Sequence, residues 1–285
     1  MKLLTEMLPA DHNYFLGGDF HYGSKLFFKK GFDEFVNKVH SEYEGCSNNY
    51  VGLGGDYIEA IMIDDKRADA QKMAEPFIIS QIEEVTELIR PLGERLLYML
   101  DGNHELKHWR MGNITQKIAK DIGTQYGTVT TKMTVQTVKG NLMYKVWDTH
   151  GRKGINSSAD DPLRRDVNHQ LILKRQLRRK AGDCAVMIKH HTHKLFVTPP
   201  TEELYLTDNG KKLIQNYTSQ DYRLDYIHPD MRYYGNAGSF MKLFEDGYSG
   251  YAEIAEYDPV ELGWLVIIVR GGKIVQLKKH LLKGV

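Results

Sequence analysis

The sequence predicts an α/β fold of two packed mixed β-sheets flanked by helices, and three patterns in its 285 residues carry that prediction. Three short apolar runs, Tyr14 to Asp19, Tyr50 to Asp56 and Leu97 to His104, each end in glycine and polar residues, as buried strands do where they enter loops. Between these runs, apolar residues recur at helical spacing. Later in the chain, paired apolar runs flank turn residues, which is the pattern of hairpins.

Taken in order, Phe32, Phe35, Val36, Val39 and Tyr43 mark a helix after the first strand, and Phe77, Ile78, Ile82, Val85 and Ile89 mark one before the third. Strand, helix, strand, helix, strand implies parallel pairing with right-handed crossovers. A short helix follows around Thr115 to Ile122. The pattern then becomes mostly antiparallel. MTVQTV and NLMYKVWDTH flank Lys139-Gly140, EELYLT and KKLIQNYT flank Asp208-Asn209-Gly210, and LGWLVIIV and KIVQLKKHL flank Gly271-Gly272. A helix over Leu163 to Lys180 and an apolar strand, CAVMI, interrupt this series. With no Pro/Ser-rich linker, low-complexity tract or repeat, residues 1–285 read as one domain, with hairpin additions at about 195–235 and 251–285.

Composition narrows the function classes only partly. An aromatic share of 11% beside 26% charged residues argues for a chain folded nearly throughout. A net charge of +1 gives no global footprint for nucleic acid or membrane, so a polyanion site must be a local patch. The N-terminal MKLLTEMLPADHN is broken by Thr5 and Glu6 before a signal-peptide core forms, and no run approaches the roughly 18 apolar residues of a membrane span. Two cysteines, Cys46 and Cys184, read as reduced thiols, so the expected location is cytoplasmic.

The chemistry lies where the strands end: Asp19-Phe20-His21, Asp56, Asn103-His104-Glu105, Asp148-Thr149-His150 and His190-His191-Thr192-His193. Half of the chain's 12 histidines fall in these five places. Loops after the carboxyl ends of strands in an α/β sheet converge on one crevice. Extended backbone would turn Asp19 with His21, and His191 with His193, to the same side as paired donors. Asp19, Asp56, Asn103, His150 and His191 stand 37, 47, 47 and 41 residues apart, each step the size of a supersecondary unit returning to the same edge.

This series, DFH, GGD, GNHE, THG and HHTH, resembles the motif series of the calcineurin-like metallophosphoesterases, and Gly235 to Ser239 (GNAGS) resembles a further strand-end signature of that family. The resemblance implies the family's α/β/β/α sandwich and two divalent transition-metal ions. Asp19, His21, Asp56 and His193 would hold one, and Asp56, Asn103, His150 and His191 the other, with Asp56 shared. It also implies that His104 protonates the leaving oxygen or stabilises its charge, and that Glu105 orients its imidazole. Oxygen and nitrogen donors without thiolate suit manganese, placed first, as well as iron, zinc or nickel. Two such cations activate water, polarise a phosphoryl group and stabilise an in-line displacement.

The sequence departs from the family pattern at two places. His190 replaces the glycine before the last His-x-His, and its imidazole either supports the ligands or faces outward. The second motif continues as Tyr57-Ile58-Glu59-Ala60, without the Asp-Arg-Gly that supplies a phosphate-gripping arginine in protein Ser/Thr phosphatases, which disfavours that branch.

Basic residues border the motifs: Lys107, His108 and Arg110 after His104, Arg152 and Lys153 after His150, and Lys189 and Lys194 around the last motif. Lys107, Arg110, Arg152 and Lys153 are the candidate substrate-binding residues. They favour a phosphodiesterase acting on DNA, RNA or a nucleotide over a phosphomonoesterase of small esters or phosphoproteins. A non-catalytic scaffold is the third reading, and the intact ligand series argues against it. Arg164, Arg165, Lys174, Arg175, Arg178, Arg179 and Lys180 read as a solvated helix face. Tyr222, Tyr226, Tyr233 and Tyr234 read as half-buried packing rather than a base-stacking platform. The oligomeric state is not legible.

Overall fold

The computed structural model describes residues 1–62, 65, 72–249 and 251–283. The chain opens with β1 (Lys2–Leu8), β2 (His12–Gly17), α1 (Lys29–His40), β3 (Asn49–Leu53), α2 (Ile78–Ile89), β4 (Leu96–Met99), α3 (Asn103–Lys107) and α4 (Ile114–Ile122). The middle holds β5 (Gln125–Tyr126), β6 (Thr130–Thr137), β7 (Leu142–Thr149), α5 (Pro162–Leu177), β8 (Val186–Lys189) and β9 (Leu195–Thr198). It closes with β10 (Leu204–Asp208), β11 (Leu213–Tyr217), β12 (Tyr233–Ala237), α6 (Tyr251–Ile254), β13 (Gly263–Arg270) and β14 (Lys273–Leu281).

Two six-stranded sheets result. The first runs β14-β13-β2-β3-β4-β5, and the second runs β1-β6-β7-β8-β12-β9. Strand alternation sets the layers: Phe15 faces the helices with Phe32, Phe35, Val85 and Ile118, while Tyr14 and Leu16 face the second sheet with Tyr144, Val146, Val186 and Ile188. On the far side of the second sheet, Met187 and Tyr234 pack with Leu173 and Leu177 of α5. The order is helices, sheet, sheet, helix, as expected.

The parallel β2–β3–β4 set and all three hairpins are as the sequence predicts. The last hairpin belongs to the first sheet, because β13 pairs with β2. Three details differ. The second half is less antiparallel than its hairpins suggest: α5 is a crossover that leaves β8 parallel to β7, and β12 is parallel to β8. β1, unread in the sequence, pairs parallel with β6 and buries Leu4 and Leu8, but Leu3 and Met7 on its solvent face hide the alternation. Phe77 precedes α2 and is exposed, and Tyr43 lies beyond α1 although it is buried.

α5 buries Leu173 and Leu177 and turns its charges outward; Arg165 pairs with Asp258 and Lys174 with Asp230. Tyr222, Tyr233 and Tyr234 are buried, consistent with packing, whereas Tyr226 is exposed. Cys46 and Cys184 are free thiols. Among the described residues no helix is long and apolar enough to cross a membrane.

Candidate metal centre

Each nominated residue follows the carboxyl end of a strand: Asp19 and His21 after β2, Asp56 after β3, Asn103 after β4, His150 after β7, and His191 and His193 after β8. The backbone there is not extended. Asp19, His21, Asp56, His191 and His193 have φ of 54°, 54°, 53°, 77° and 56°, the left-handed region that costs a residue with a Cβ about 1–2 kcal/mol. The expected same-side pairing therefore fails at the second site. His193 turns to Asp19 and His21, while His191 turns to Asp56 and His150.

Neighbouring backbone holds these turns. The amides of Phe20 and His21 donate to the Asp56 carbonyl at 2.8 and 3.0 Å, and Ser239 Oγ, from the GNAGS segment, donates to the Asp19 carbonyl at 2.9 Å. Glu105, 2% exposed, accepts from the amides of Asp56 (3.2 Å), Tyr57 (2.6 Å), Ile58 (3.2 Å) and Gly102 (3.0 Å). Gly102 must lack a side chain, since a Cβ would lie 2.0 Å from the Asp56 nitrogen. Burial and then the charge of Asp56 push the Glu105 carboxyl up to about 7, while the amides pull it down.

The Glu105 carboxylate makes its hydrogen bonds to these amides around Asp56 and none to the His104 ring among the described residues. That ring is held by Glu59, whose carbonyl accepts from His104 Nδ1 at 2.5 Å, while the Glu59 carboxylate accepts from His21 Nδ1 at 2.8 Å. Glu59 is the residue the sequence does not reveal; it stands where the family's aspartate-arginine pair is missing. His104's own amide donates to Asp56 Oδ1 at 2.9 Å.

The donor atoms fall into groups. Asp19, His21 and His193 form one and Asp56, His150 and His191 another; Glu59 and His104 join His21 in a third. Asp56 Oδ2 lies between the first two, 3.2 Å from His150 Nε2 and 3.9 Å from His21 Nε2. Asn103 Oδ1 is 3.1 Å from His150 Nε2. Several of these atoms lack the partners that burial demands: Asp19 Oδ1, 3.4 Å from His193 Nε2, and His191 Nδ1 make no hydrogen bond. His21 Nε2 and His193 Nε2 stand 3.0 Å apart. Buried carboxylate oxygens and imidazole nitrogens converging this closely, two of them without any hydrogen bond, fit divalent cations, and the oxygen and nitrogen donor set fits transition metals.

Electrostatics run the same way. Burial alone would raise the carboxyls of Asp19 and Asp56, but nearby imidazoles outweigh it: His193 and His150 hold Asp19 below its usual range, and His150, His104 and His21 hold Asp56 well below it. Burial disfavours charged imidazoles at His21 and His150, yet Glu59 lifts the first to about 9 and Asp56 lifts the second to about 9. Burial and the charge of His21 push His104 down to about 4; burial and the charge of His150 do the same to His191.

His190 does not face outward. It is fully buried, and its Nε2 lies 3.0 Å from Asp148 Oδ1, whose other oxygen accepts from Tyr98 at 2.7 Å. Its ring occupies the space a side chain at Gly54 would need, since a Cβ there would approach to 2.1 Å.

The four candidate substrate-binding cations, Lys107, Arg110, Arg152 and Lys153, are exposed. Arg110 lies over the ring of Trp109 at 5.5 Å, and neither Arg152 nor Lys153 has a hydrogen-bonded or ionic side-chain partner among the described residues. None of the four lines the groove of about 1350 Å³ that opens from His191 and His193. That groove is walled by Arg165, His169, Lys194, Asp160 and Asp258 among others. Lys194 is spent on structure, donating to the Ile155 carbonyl at 2.6 Å.

The family model of calcineurin-like phosphoesterases matches residues 4–228. The chain belongs to that family and is a metal-dependent hydrolase of phosphate esters. Comparison with curated proteins gives no match.

The protonation pattern yields a measurable outcome. His21 Nδ1 and His150 Nδ1 are tied to Glu59 and the Gly54 carbonyl, so the proton that raises each ring to about 9 sits on Nε2, the atom that faces the other donors. A metal ion needs that lone pair, so binding at pH 7 should release protons and affinity should climb as pH rises toward 9. Calorimetric titration of manganese into the metal-free chain should show heats that depend on the buffer's ionisation enthalpy at pH 7 and less so above pH 9. Buffer-independent heats at pH 7 would contradict the assignment.

Proposed function

We propose that the chain is a two-metal phosphodiesterase acting on nucleic acid or nucleotides. One metal would be held by Asp19, His21, Asp56 and His193 and the other by Asp56, Asn103, His150 and His191, with manganese favoured. The observation that carries this reading is the position of Asp56, whose Oδ2 lies within 4 Å of an imidazole nitrogen from each group. When bound, the metal pair supplies Lewis-acid polarisation of the phosphoryl group and a nucleophile at neutral pH.

The chain's own residues set the rest. His104 Nδ1 is committed to the Glu59 carbonyl, which leaves Nε2 for the leaving oxygen. With its pKa at about 4 the ring is neutral at pH 7, and Nε2 then carries a lone pair rather than a proton. The Glu59 carboxylate, 4.0 Å from Nδ1, already favours the protonated ring at that value, so the donor form requires the added negative charge of a bound phosphate. Glu59 is a positioning residue that fixes His21 and His104 together.

Arg152 and Lys153, unpaired on the loop after His150, support a substrate with phosphates beyond the reacting one. The groove balances Asp160, Asp166, Asp258 and Glu261 against Arg165, Lys194, Lys278 and Lys279, so it offers no net attraction for a long polyanion and leaves a second reading, a phosphomonoesterase of small esters. Comparing turnover of a bis-aryl phosphate diester with that of the monoester in manganese separates the two. A diester rate below the monoester rate would contradict the diesterase reading.

The acid role makes a sharper prediction. His104→Ala should lower turnover roughly 100-fold or more on diesters with poor leaving groups, and much less on nitrophenyl esters, whose leaving oxygen needs no proton. Equal losses on both would remove His104 from that role.

Neutralising Arg152 and Lys153 together should weaken oligonucleotide binding, spare a single-phosphodiester compound and flatten the salt dependence of affinity by about 0.7–0.9 in slope per lost contact. An unchanged salt slope with unchanged oligonucleotide cleavage would exclude a phosphate-tracking loop.

A further inference from the structure

Two cations are deeply buried among the described residues, and they are treated oppositely. Arg232, 0% exposed, donates to the carbonyls of Ile227, Arg178, Ala181 and Gly182, so its charge is dispersed over backbone dipoles and its role is structural. Lys189, 3% exposed, has no hydrogen bond and no ion pair for its ammonium among the described residues. A buried ammonium without a partner costs stability and persists only where something else compensates it.

The position of Lys189 indicates what that something is. It ends β8, immediately before His190 and the two donor histidines, and lies in register with Thr149 of β7 and Asn236 of β12. Its Nζ rests against Gly151, the residue after His150, so closely that a Cβ there would stand 2.9 Å away; with φ of +69° and this contact, position 151 suits glycine alone. Asp19 and Lys153 are the charges that face it. Abreast on β12, Asn236 leaves its buried Oδ1 without a hydrogen bond. A cation whose ammonium has no hydrogen bond or ion pair among the described residues, and a buried acceptor without a partner, therefore border the donor groups on the side of the Arg152 loop.

Tyr57-Ile58-Glu59-Ala60 also follows the second motif without an arginine, so no cation reaches the site from there. We propose that Lys189 is the phosphate-gripping cation of this site, its ammonium pairing with a non-bridging oxygen of the substrate's phosphate group. The inference rests on the metal-dependent phosphoesterase reading above and deepens it by naming the residue that binds the substrate's charge. A charge-assisted hydrogen bond of this kind is roughly twice as strong as a neutral one, and it compensates Lys189 only while phosphate is bound.

The probe is inorganic phosphate, titrated calorimetrically into manganese-loaded wild type, Lys189→Met and Lys189→Arg, with metal content measured on the same samples. Lys189→Met should retain its metals, bind phosphate about tenfold or more weakly and show a raised KM for a bis-aryl diester with a smaller change in kcat. Lys189→Arg should keep most of the phosphate affinity. In the metal-free chain, Lys189→Met should melt about 2 °C or more above wild type, because an uncompensated buried charge has been removed. Wild-type phosphate affinity in the metal-loaded Met variant, or a metal-free Met variant that melts below wild type, overturns the proposal. Wild type that takes up no metal overturns the metal-centre reading instead, and Lys189 with it.

Discussion

Two carboxylates, Asp19 at 0% and Asp56 at 1% exposure, are buried side by side just past the ends of adjacent parallel strands. Without compensation each would cost several kcal/mol or shed its charge. Here the compensation is imidazole, chiefly His193 and His150 brought by β8 and β7 from the opposite sheet, and it holds both groups ionised. The centre therefore forms only when the two sheets are packed in register. Tyr14, Leu16, Tyr144 and Val146 in the layer between the sheets are as much a condition of the chemistry as the donors themselves.

A second constraint follows from the first. To turn several donors into one space, the chain adopts left-handed backbone at five of them, and the turns at Asp19 and Asp56 are held by groups outside the donor set. Glu105 spends its buried carboxylate on four amides around Asp56, and Ser239 holds Asp19 from the other side. His190 shows how far local packing adapts. An imidazole replaces glycine because Gly54 leaves room for it and Asp148 accepts from it, and Asp148 in turn ties the second sheet to Tyr98 of the first.

Much of this is legible in the sequence because parallel strands with buried faces write themselves as apolar runs, and because their ends hold the polar residues that matter. The order from Asp19 to His193 and the division of the donors into two groups could be read from the motif series. Rules of local geometry were a poorer guide: alternation on extended backbone would have put His191 and His193 together, and the strained turns part them. Glu59 and Asp148 carry no local signal of their contacts, since each acts on residues distant in sequence. The same limit applies to Glu105, whose carboxylate bonds amides around Asp56 rather than the ring of its sequence neighbour His104. β1 was hidden for a simpler reason, the apolar residues on its exposed face.

The central claim is that Asp56 is shared by two metal ions. The most direct test is elemental analysis of Asp56→Asn beside wild type, both purified from manganese-supplemented growth and stripped of loosely bound metal. Removing the shared negative charge leaves the two imidazole-rich groups without their common counter-ion, so the account predicts about two metals per wild-type chain and fewer than one in the variant. Retention of about two metals by Asp56→Asn would contradict it.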